Sequence, residues 1–158
     1  MAIQKTNVMR ILESAKINYN MYTYDSKGGA IDGVSVAEKI GQPVERVYKT
    51  LVTRGNSKNY FVFVIPVSKE LNLKSAAKAV GEKSIEMIRV DEINKVTGYI
   101  RGGCSPIGMK KEFKTVIDST CLDLDTIIFS GGKIGFQVEV NPKELVDFIN
   151  AHVEHITE

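Results

Sequence analysis

The chain has 158 residues, of which 43% are hydrophobic and 25% charged, proportions that are ordinary for a globular protein. The formal net charge of +2 does not by itself indicate nucleic-acid binding, and the two cysteines lack the CxxC spacing of a zinc site. No apolar run approaches the roughly 20 residues that cross a bilayer. We therefore expect one domain, residues 1–158, with no membrane contact and a cytoplasmic location with reduced thiols.

The first third of the chain predicts a helix, a strand and a second helix. Thr6 can cap the first helix, whose apolar residues recur at helical spacing. Residues 17–24 alternate like a strand and lead into a glycine-rich loop. Ser35 is expected to cap a short second helix that stops at Gly41.

The middle of the chain predicts a hairpin, two helices and a further strand. Residues 47–55 and 59–67 are rich in β-formers and are separated by a short polar turn, which favours an antiparallel hairpin. Residues 69–81 read as a helix that ends at a glycine, and residues 84–90 alternate as a strand. Asp91 is expected to open the next short helix.

Three strand candidates and a helix follow, the strands at residues 114–119, 125–132 and 134–141. Pro142 opens the last helix, with Leu145, Phe148 and Ile149 expected to face inward. Because several strands are neighbours in sequence, strict βαβ alternation is not favoured. We predict an α+β fold with a curved mixed β-sheet or partial barrel flanked by helices.

Lys49 is the most conspicuous candidate for chemistry. It shares its strand phase with Val47 and Leu51, so its ammonium group is expected to face the interior or a cleft, where it would need an anionic or carbonyl partner. An edge-strand lysine that discourages aggregation has the same pattern.

Other reactive residues offer no recognisable catalytic group. Cys104 follows two glycines, but His152 and His155 lie at the far C-terminal end, so a small buried thiol is favoured over a nucleophile. No HExxH motif or other metal-ligand cluster is present, so we expect neither a metal nor a cofactor.

Two glycine-rich stretches complete the set of candidates, residues 99–111 (YIRGGCSPIGMKK) and residues 129–137 (FSGGKIGFQ). Gly102, Gly103 and Gly108 allow positive φ and close backbone approach, and their N–H groups can bind an anion or a carbonyl oxygen. Pro106 stiffens the first loop. A pair of purely structural turns explains the glycine content equally well.

Taken in order, the stretches VYKTLV, TGYIRGGCSPIGMKK and FSGGKIGFQVEV resemble the YbaK/prolyl-tRNA synthetase-associated editing-domain family over nearly the whole chain. The resemblance implies trans-editing: hydrolysis of the aminoacyl ester of mischarged tRNA, most simply Cys-tRNA(Pro) and also Cys-tRNA(Cys). Such editing is needed because a pocket for proline excludes smaller amino acids by only about 1–3 kcal/mol per methylene.

The resemblance also implies roles for individual residues. Lys49 would hold the aminoacyl-adenosine end, and the loop from Gly102 to Gly108 would line the amino-acid pocket and offer backbone donors to the ester. The substrate-binding set would comprise Tyr24, Thr50, Gly102, Gly103, Ser105, Pro106, Ile107, Gly108, Ser130, Gly131, Gly132 and Gln137. Within this set, the glycines after Ser130 would let the tRNA terminus approach closely.

The family resemblance implies a mechanism without an enzyme nucleophile, in which the substrate thiol attacks its own ester carbonyl while the protein folds the substrate and stabilises the oxyanion. Cys104 would then have no catalytic role. The chain departs from the family at Gln137, where many members have an acidic residue, so the substrate amine would be bound more weakly or Gln137 would be structural.

Two alternatives remain at this stage. One is a deacylase of Ala-tRNA(Pro), which differs in pocket size; the other is a non-catalytic module that binds tRNA or nucleotide. The expected partners are the aminoacyl end of mischarged tRNA and prolyl-tRNA synthetase. The synthetase would deliver the tRNA, because a protein with a net charge of +2 binds RNA only weakly.

Overall fold

The computed structural model describes residues 5–26 and 31–158. The centre of the glycine-rich loop expected after the first strand, residues 27–30, lies outside the described residues. The helices are α1 (Asn7–Ser14), α2 (Gly33–Ile40), α3 (Leu73–Val80), α4 (Val90–Thr97) and α5 (Pro142–Ile149). The strands are β1 (Asn20–Thr23), β2 (Tyr48–Gly55), β3 (Tyr60–Pro66), β4 (Ile85–Met87), β5 (Lys114–Asp118), β6 (Ile127–Ser130), β7 (Phe136–Val140) and β8 (His152–Glu154).

The strands form two sheets. The larger sheet has the order β4-β2-β3-β5-β8 and is mixed, because β3 pairs with β5 and β5 with β8 in parallel while the other pairs are antiparallel. The smaller sheet, β1-β7-β6, is antiparallel. A single bridge between Val47 and Ile128 connects them. The α+β class, the mixed sheet and the β2–β3 hairpin are therefore confirmed, and the strands divide between two sheets.

Three helix starts differ from the sequence-based expectation. α3 begins at Leu73 and not at residue 69, because Asn72 caps it by accepting a hydrogen bond from the Ser75 amide. Asp32, not Ser35, caps α2: its carboxylate accepts hydrogen bonds from the Ser35 amide at 2.9 Å and the Ser35 hydroxyl at 2.9 Å. At α4 the cap is Arg89, and Asp91 lies inside the first turn, where an acidic side chain complements the helix dipole. Thr6 caps α1 as predicted.

The C-terminal region contains one element that the sequence did not reveal. His152 lies in β8, a strand of three residues whose two end residues are exposed. The strand is too short to be predicted from an alternation of polar and apolar residues. Phe148 was expected to face inward, but it is 38% exposed, and Leu145 is the fully buried residue of α5. Asp118, itself fully buried, holds the segment after β8 by accepting the Ile156 amide at 3.0 Å.

Three apolar clusters surround the region between the sheets. α1 and α5 pack on one cluster, and α3 packs on a second against the larger sheet. The third cluster is small and joins α2 to both sheets through Ala37, Val47, Val67 and Ile128. None of the described helices has the length and hydropathy that a membrane crossing requires.

Candidate active site

A cavity of about 120 Å³ lies where the two sheets meet. It lies beside the first half of β2, between the residues Thr53–Gly55 that pair with β4 and the bridge from Val47 to Ile128 of β6. Small-molecule pockets usually measure about 300–1,000 Å³, so this cavity suits a small amino-acid side chain. Its wall is formed by Tyr24, Ile31, Gly33, Val36, Val47, Tyr48, Lys49, Thr50, Val67, Gly102, Cys104, Ser130 and Gln137.

Lys49 provides the positive charge of the cavity. It is half-buried and lies opposite Ile65 in the β2–β3 register. Its ammonium group makes no hydrogen bond or ion pair with any residue in the described part of the chain. A partly desolvated cation without a protein partner favours an anionic or carbonyl group of a ligand.

Thr50 adds an unsatisfied hydroxyl. Its Oγ1 is completely buried and has no hydrogen-bond partner among the described residues. Leaving such a group unpaired costs about 1–3 kcal/mol, and native proteins rarely accept that cost without a reason. Thr50 lines the cavity, so a ligand bound there lies next to this residue.

Ser130 and Gln137 face each other across β6 and β7 and form the opposite wall. The Ser130 hydroxyl accepts a hydrogen bond from the Gly132 amide at 3.1 Å, which leaves its own proton free to donate. Gln137 is 5% exposed, and its side-chain amide makes no hydrogen bond within the described ranges. Both side chains therefore present polar groups that a small ligand could use.

The first glycine-rich loop reaches the cavity through its beginning only. Gly102 has φ +86°, and neither its amide nor that of Cys104 donates to an acceptor in the described part of the chain. Gly103 brings the two loops together: a Cβ added there would lie 3.2 Å from the amide nitrogen of Ile134. The two free amides could stabilise a developing oxyanion.

Seven of the thirteen predicted site residues lie outside the cavity wall: Gly103, Ser105, Pro106, Ile107, Gly108, Gly131 and Gly132. The later part of the first loop contacts α1 and α5 instead, and Ser105 is fully buried. Gly132, with φ +92°, is packed against the Val8 side chain, where a Cβ would lie 2.8 Å from Cγ2. These residues shape the loops that carry Gly102 and Ser130.

Cys104 lies in the cavity wall, within the loop that was expected to line the pocket, although it was not itself among the predicted site residues. Burial raises the pKa of its thiol to about 11, so the thiol is protonated at neutral pH. A protonated thiol is a poor nucleophile. A lone cysteine has no spacing signal, and the apolar wall residues Ile31, Val36 and Val67 were likewise indistinguishable from ordinary core residues.

No group of three or more His, Cys, Asp or Glu side chains within residues 5–26 and 31–158 is arranged to hold a metal ion. The groups in the cavity wall that can act on a ligand therefore include one ammonium, the hydroxyls of Tyr24, Thr50 and Ser130, one amide side chain and two main-chain amides. This set suits the binding of a small polar ligand beside a phosphate or carbonyl group.

The sequence model of the aminoacyl-tRNA editing domain matches residues 31–148. The chain belongs to this family. Editing domains are aminoacyl-tRNA deacylases, which remove the amino acid from mischarged tRNA. The matched segment contains the whole cavity wall except Tyr24.

Three known proteins show how widely the similarity extends. The "Putative Cys-tRNA(Pro)/Cys-tRNA(Cys) deacylase EbsC" of Enterococcus faecalis is 44% identical over 98% of this chain and 94% of its own length. A proline–tRNA ligase of Fervidobacterium nodosum is 28% identical over 61% of this chain and 16% of the ligase. A crystal structure described as a "putative trans-editing enzyme for prolyl tRNA synthetase" has a TM-score of 0.82 at 21% identity, covering 99% of both chains, and shares the fold of this editing domain.

Proposed function

We propose that this editing domain hydrolyses the aminoacyl ester of Cys-tRNA(Pro) and Cys-tRNA(Cys), with residues 1–158 acting as one catalytic unit in the cytoplasm. The observation that carries the proposal is the cavity: a small space with a cation, Lys49, at its wall that has no partner among residues 5–26 and 31–158. The name of the Enterococcus faecalis relative supports cysteine as the amino acid, because that relative is 44% identical over nearly the whole chain.

Lys49 binds the terminal adenosine of the tRNA. Its ammonium group is a point charge that suits a phosphate or carbonyl oxygen. The Thr50 hydroxyl forms a hydrogen bond with the ribose or the ester of the substrate. This bond offsets the free-energy cost of burying the hydroxyl without a partner among the described residues. These two contacts place the ester between β2 and the first glycine-rich loop.

The amino-acid side chain occupies the part of the cavity that is lined by Ser130 and Gln137. A neutral amide at position 137 accepts a hydrogen bond from the substrate ammonium group, although it lacks the charge of a carboxylate. Cysteine and alanine both fit a cavity of about 120 Å³. The substrate thiol then provides the distinction between them.

The thiol of the bound cysteine attacks its own ester carbonyl. A carbon–sulfur bond forms, the bond between the carbonyl carbon and the ribose oxygen breaks, and the thiol proton passes to that ribose oxygen. The amides of Gly102 and Cys104 stabilise the negative charge on the carbonyl oxygen. Water then opens the cyclic thioester and releases cysteine, and no side chain of the enzyme becomes acylated.

Prolyl-tRNA synthetase delivers the substrate. The similarity to part of a proline–tRNA ligase supports a functional link with that enzyme. A net charge of +2 gives little general attraction to RNA, so delivery compensates for weak capture from solution. Recovery of the synthetase with tagged editing domain, in the presence of tRNA(Pro), is expected; its absence under all conditions would contradict delivery.

A deacylation panel tests the proposal. Purified protein is incubated with Cys-tRNA(Pro), Cys-tRNA(Cys), Ala-tRNA(Pro) and Pro-tRNA(Pro), and loss of the labelled amino acid is followed in time. The two cysteinyl substrates should be hydrolysed and the prolyl substrate spared. Hydrolysis of the alanyl substrate at an equal rate would contradict assistance by the substrate thiol, and hydrolysis of none would contradict the function.

A further inference from the structure

A groove rich in lysine lies outside the candidate active site, between α3 and β4. We define the lysine groove by Lys74, Lys78 and Lys83, which are all exposed and border a groove of about 520 Å³. None of the three forms an ion pair in the described part of the chain. The one acidic residue of the groove, Glu82, accepts a hydrogen bond from the Ser57 amide at 2.9 Å.

Strand alternation places the lysine groove and Lys49 on the same face of the larger sheet. Side chains two residues apart on a strand point to the same face, so Lys49 and Leu51 share one. Leu51 packs on the apolar cluster that includes Ala76 and Ala77 of α3. α3 therefore covers the face toward which Lys49 projects, and a single ligand can contact both without passing around the sheet.

The distance between the two features follows from the strand. Six residues separate Lys49 from Gly55, which corresponds to about 20 Å at 3.3 Å per residue. Gly55 pairs with Ile85, two residues after Lys83, so the lysine groove begins at that far end. A phosphate that contacts the groove therefore lies about 20 Å from the ester, beyond the terminal nucleotide that enters the cavity.

We propose that the lysine groove binds the phosphate backbone of the tRNA acceptor stem. This inference rests on the proposed function, since it takes the esterified end of the same tRNA to be in the cavity. Lys74 and Lys78 lie about 6 Å apart along the axis of α3, a spacing that suits neighbouring phosphates. Phosphate contacts position a nucleic acid without reading its sequence, so the groove orients the tRNA and adds little discrimination among tRNAs.

The test compares two double variants that remove the same charge. Lys74→Gln/Lys78→Gln removes two groove lysines and keeps residues of good helix propensity. Lys16→Gln/Lys143→Gln removes two exposed lysines next to the other large apolar cluster and is the control. Urea unfolding midpoints confirm that both remain folded, and kcat/KM is measured on Cys-tRNA(Pro) and on a cysteinylated CCA trinucleotide.

The groove variant should lose about tenfold in kcat/KM on Cys-tRNA(Pro) at 50 mM salt and keep the wild-type value on the trinucleotide, which has no acceptor stem. Its affinity for uncharged tRNA, followed by fluorescence anisotropy, should depend less on salt, with the log–log slope reduced by about two. The control should match the wild type in every measurement.

Equal behaviour of the groove variant and the control on tRNA would overturn the inference. So would a groove variant that loses only the stimulation by added prolyl-tRNA synthetase, because that would make the groove a protein-binding surface. If the wild type hydrolyses neither substrate, the proposed function fails, whereas the anisotropy measurement still decides whether the groove binds tRNA.

Discussion

Lys49 and Thr50 are neighbours on one strand, yet both border the same cavity. Successive strand residues normally point to opposite faces, but this part of β2 lies beside the cavity, between the residues that pair with β4 and the bridge from Val47 to Ile128. Neither the Lys49 ammonium group nor the Thr50 hydroxyl has a partner in the part of the chain that the structure describes. Their separate contributions can therefore be measured by substitution.

Thr50→Val should reduce kcat/KM for Cys-tRNA(Pro) by about 2- to 13-fold, the loss of one hydrogen bond of roughly 0.5–1.5 kcal/mol. The free energy of unfolding should stay the same or rise, because the variant removes a buried hydroxyl that has no partner. Thr53→Val is the matched control. That hydroxyl donates to the Phe61 carbonyl oxygen at 2.9 Å, so its removal should lower stability and leave kcat/KM unchanged. The opposite pattern would contradict the role of Thr50.

Cys104 should react slowly with iodoacetamide near neutral pH. Because burial raises the pKa of its thiol to about 11, only about one thousandth is thiolate at pH 8. Between pH 7 and 9.5 the rate of alkylation, measured by peptide mass spectrometry, should rise about tenfold per pH unit. Cys104→Ala should retain hydrolysis of Cys-tRNA(Pro). Rapid alkylation at pH 7 with loss of activity would instead identify Cys104 as a nucleophile.

The sequence predicted individual site residues unevenly. Lys49 was predicted because it is a charged residue on a strand face that it shares with apolar residues, a pattern that is visible in the sequence alone. Gly102 and Gly103 share a sequence motif, but only Gly102 reaches the cavity, since Gly103 packs against the other loop. The reach of a loop depends on tertiary packing, which local sequence does not encode.

α2 forms one wall of the cavity by packing unusually close to the end of β3. A Cβ added at Gly33 would lie 2.2 Å from Cγ1 of Val67, and both residues line the cavity. Glycine is required there by space, since its φ is not in the left-handed region. α2 can therefore lie this close to Val67 only because residue 33 has no side chain.

Gly33→Ala should lower the free energy of unfolding by about 1–3 kcal/mol and reduce activity on Cys-tRNA(Pro), because α2 must move away from Val67. Adding Val67→Ala should recover most of the lost stability. Gly41→Ala is a control for glycine loss alone: its φ is +72° and no atom lies within 4 Å, so only stability should fall. Urea midpoints and kcat/KM provide the readouts. A Gly33→Ala variant identical to the wild type in both would refute the close-packing argument.

Elements with strong local signals were predicted well. The β2–β3 hairpin and the helix that ends before Gly81 follow from β-branched runs, a polar turn and a glycine in the left-handed region. β8 was missed because three residues with exposed ends form a strand only by pairing with β5. The cap of α2 was assigned to the wrong residue because Asp32 and Ser35 are both residue types that favour a helix start. The sequence alone does not show which of the two takes the cap position.

At the scale of the whole molecule, positive charge is distributed unevenly, which the net charge does not reveal. A charge of +2 suggests indifference to RNA, yet three exposed lysines concentrate in one groove and a fourth lies in the cavity. The division of strands into two sheets creates the cavity at their junction, and periodicity alone could not predict that division. Family membership follows from the match over residues 31–148.

The most direct test is single-turnover hydrolysis of Cys-tRNA(Pro) by Lys49→Ala, with Lys143→Ala as the control for losing an exposed lysine. A charge-assisted contact of roughly 1.5–3 kcal/mol corresponds to a loss of about 10- to 150-fold in rate, with an unchanged unfolding midpoint. The control should hydrolyse the substrate at the wild-type rate. A Lys49→Ala protein that releases cysteine as fast as the wild type would contradict the assignment of this cavity as the catalytic site.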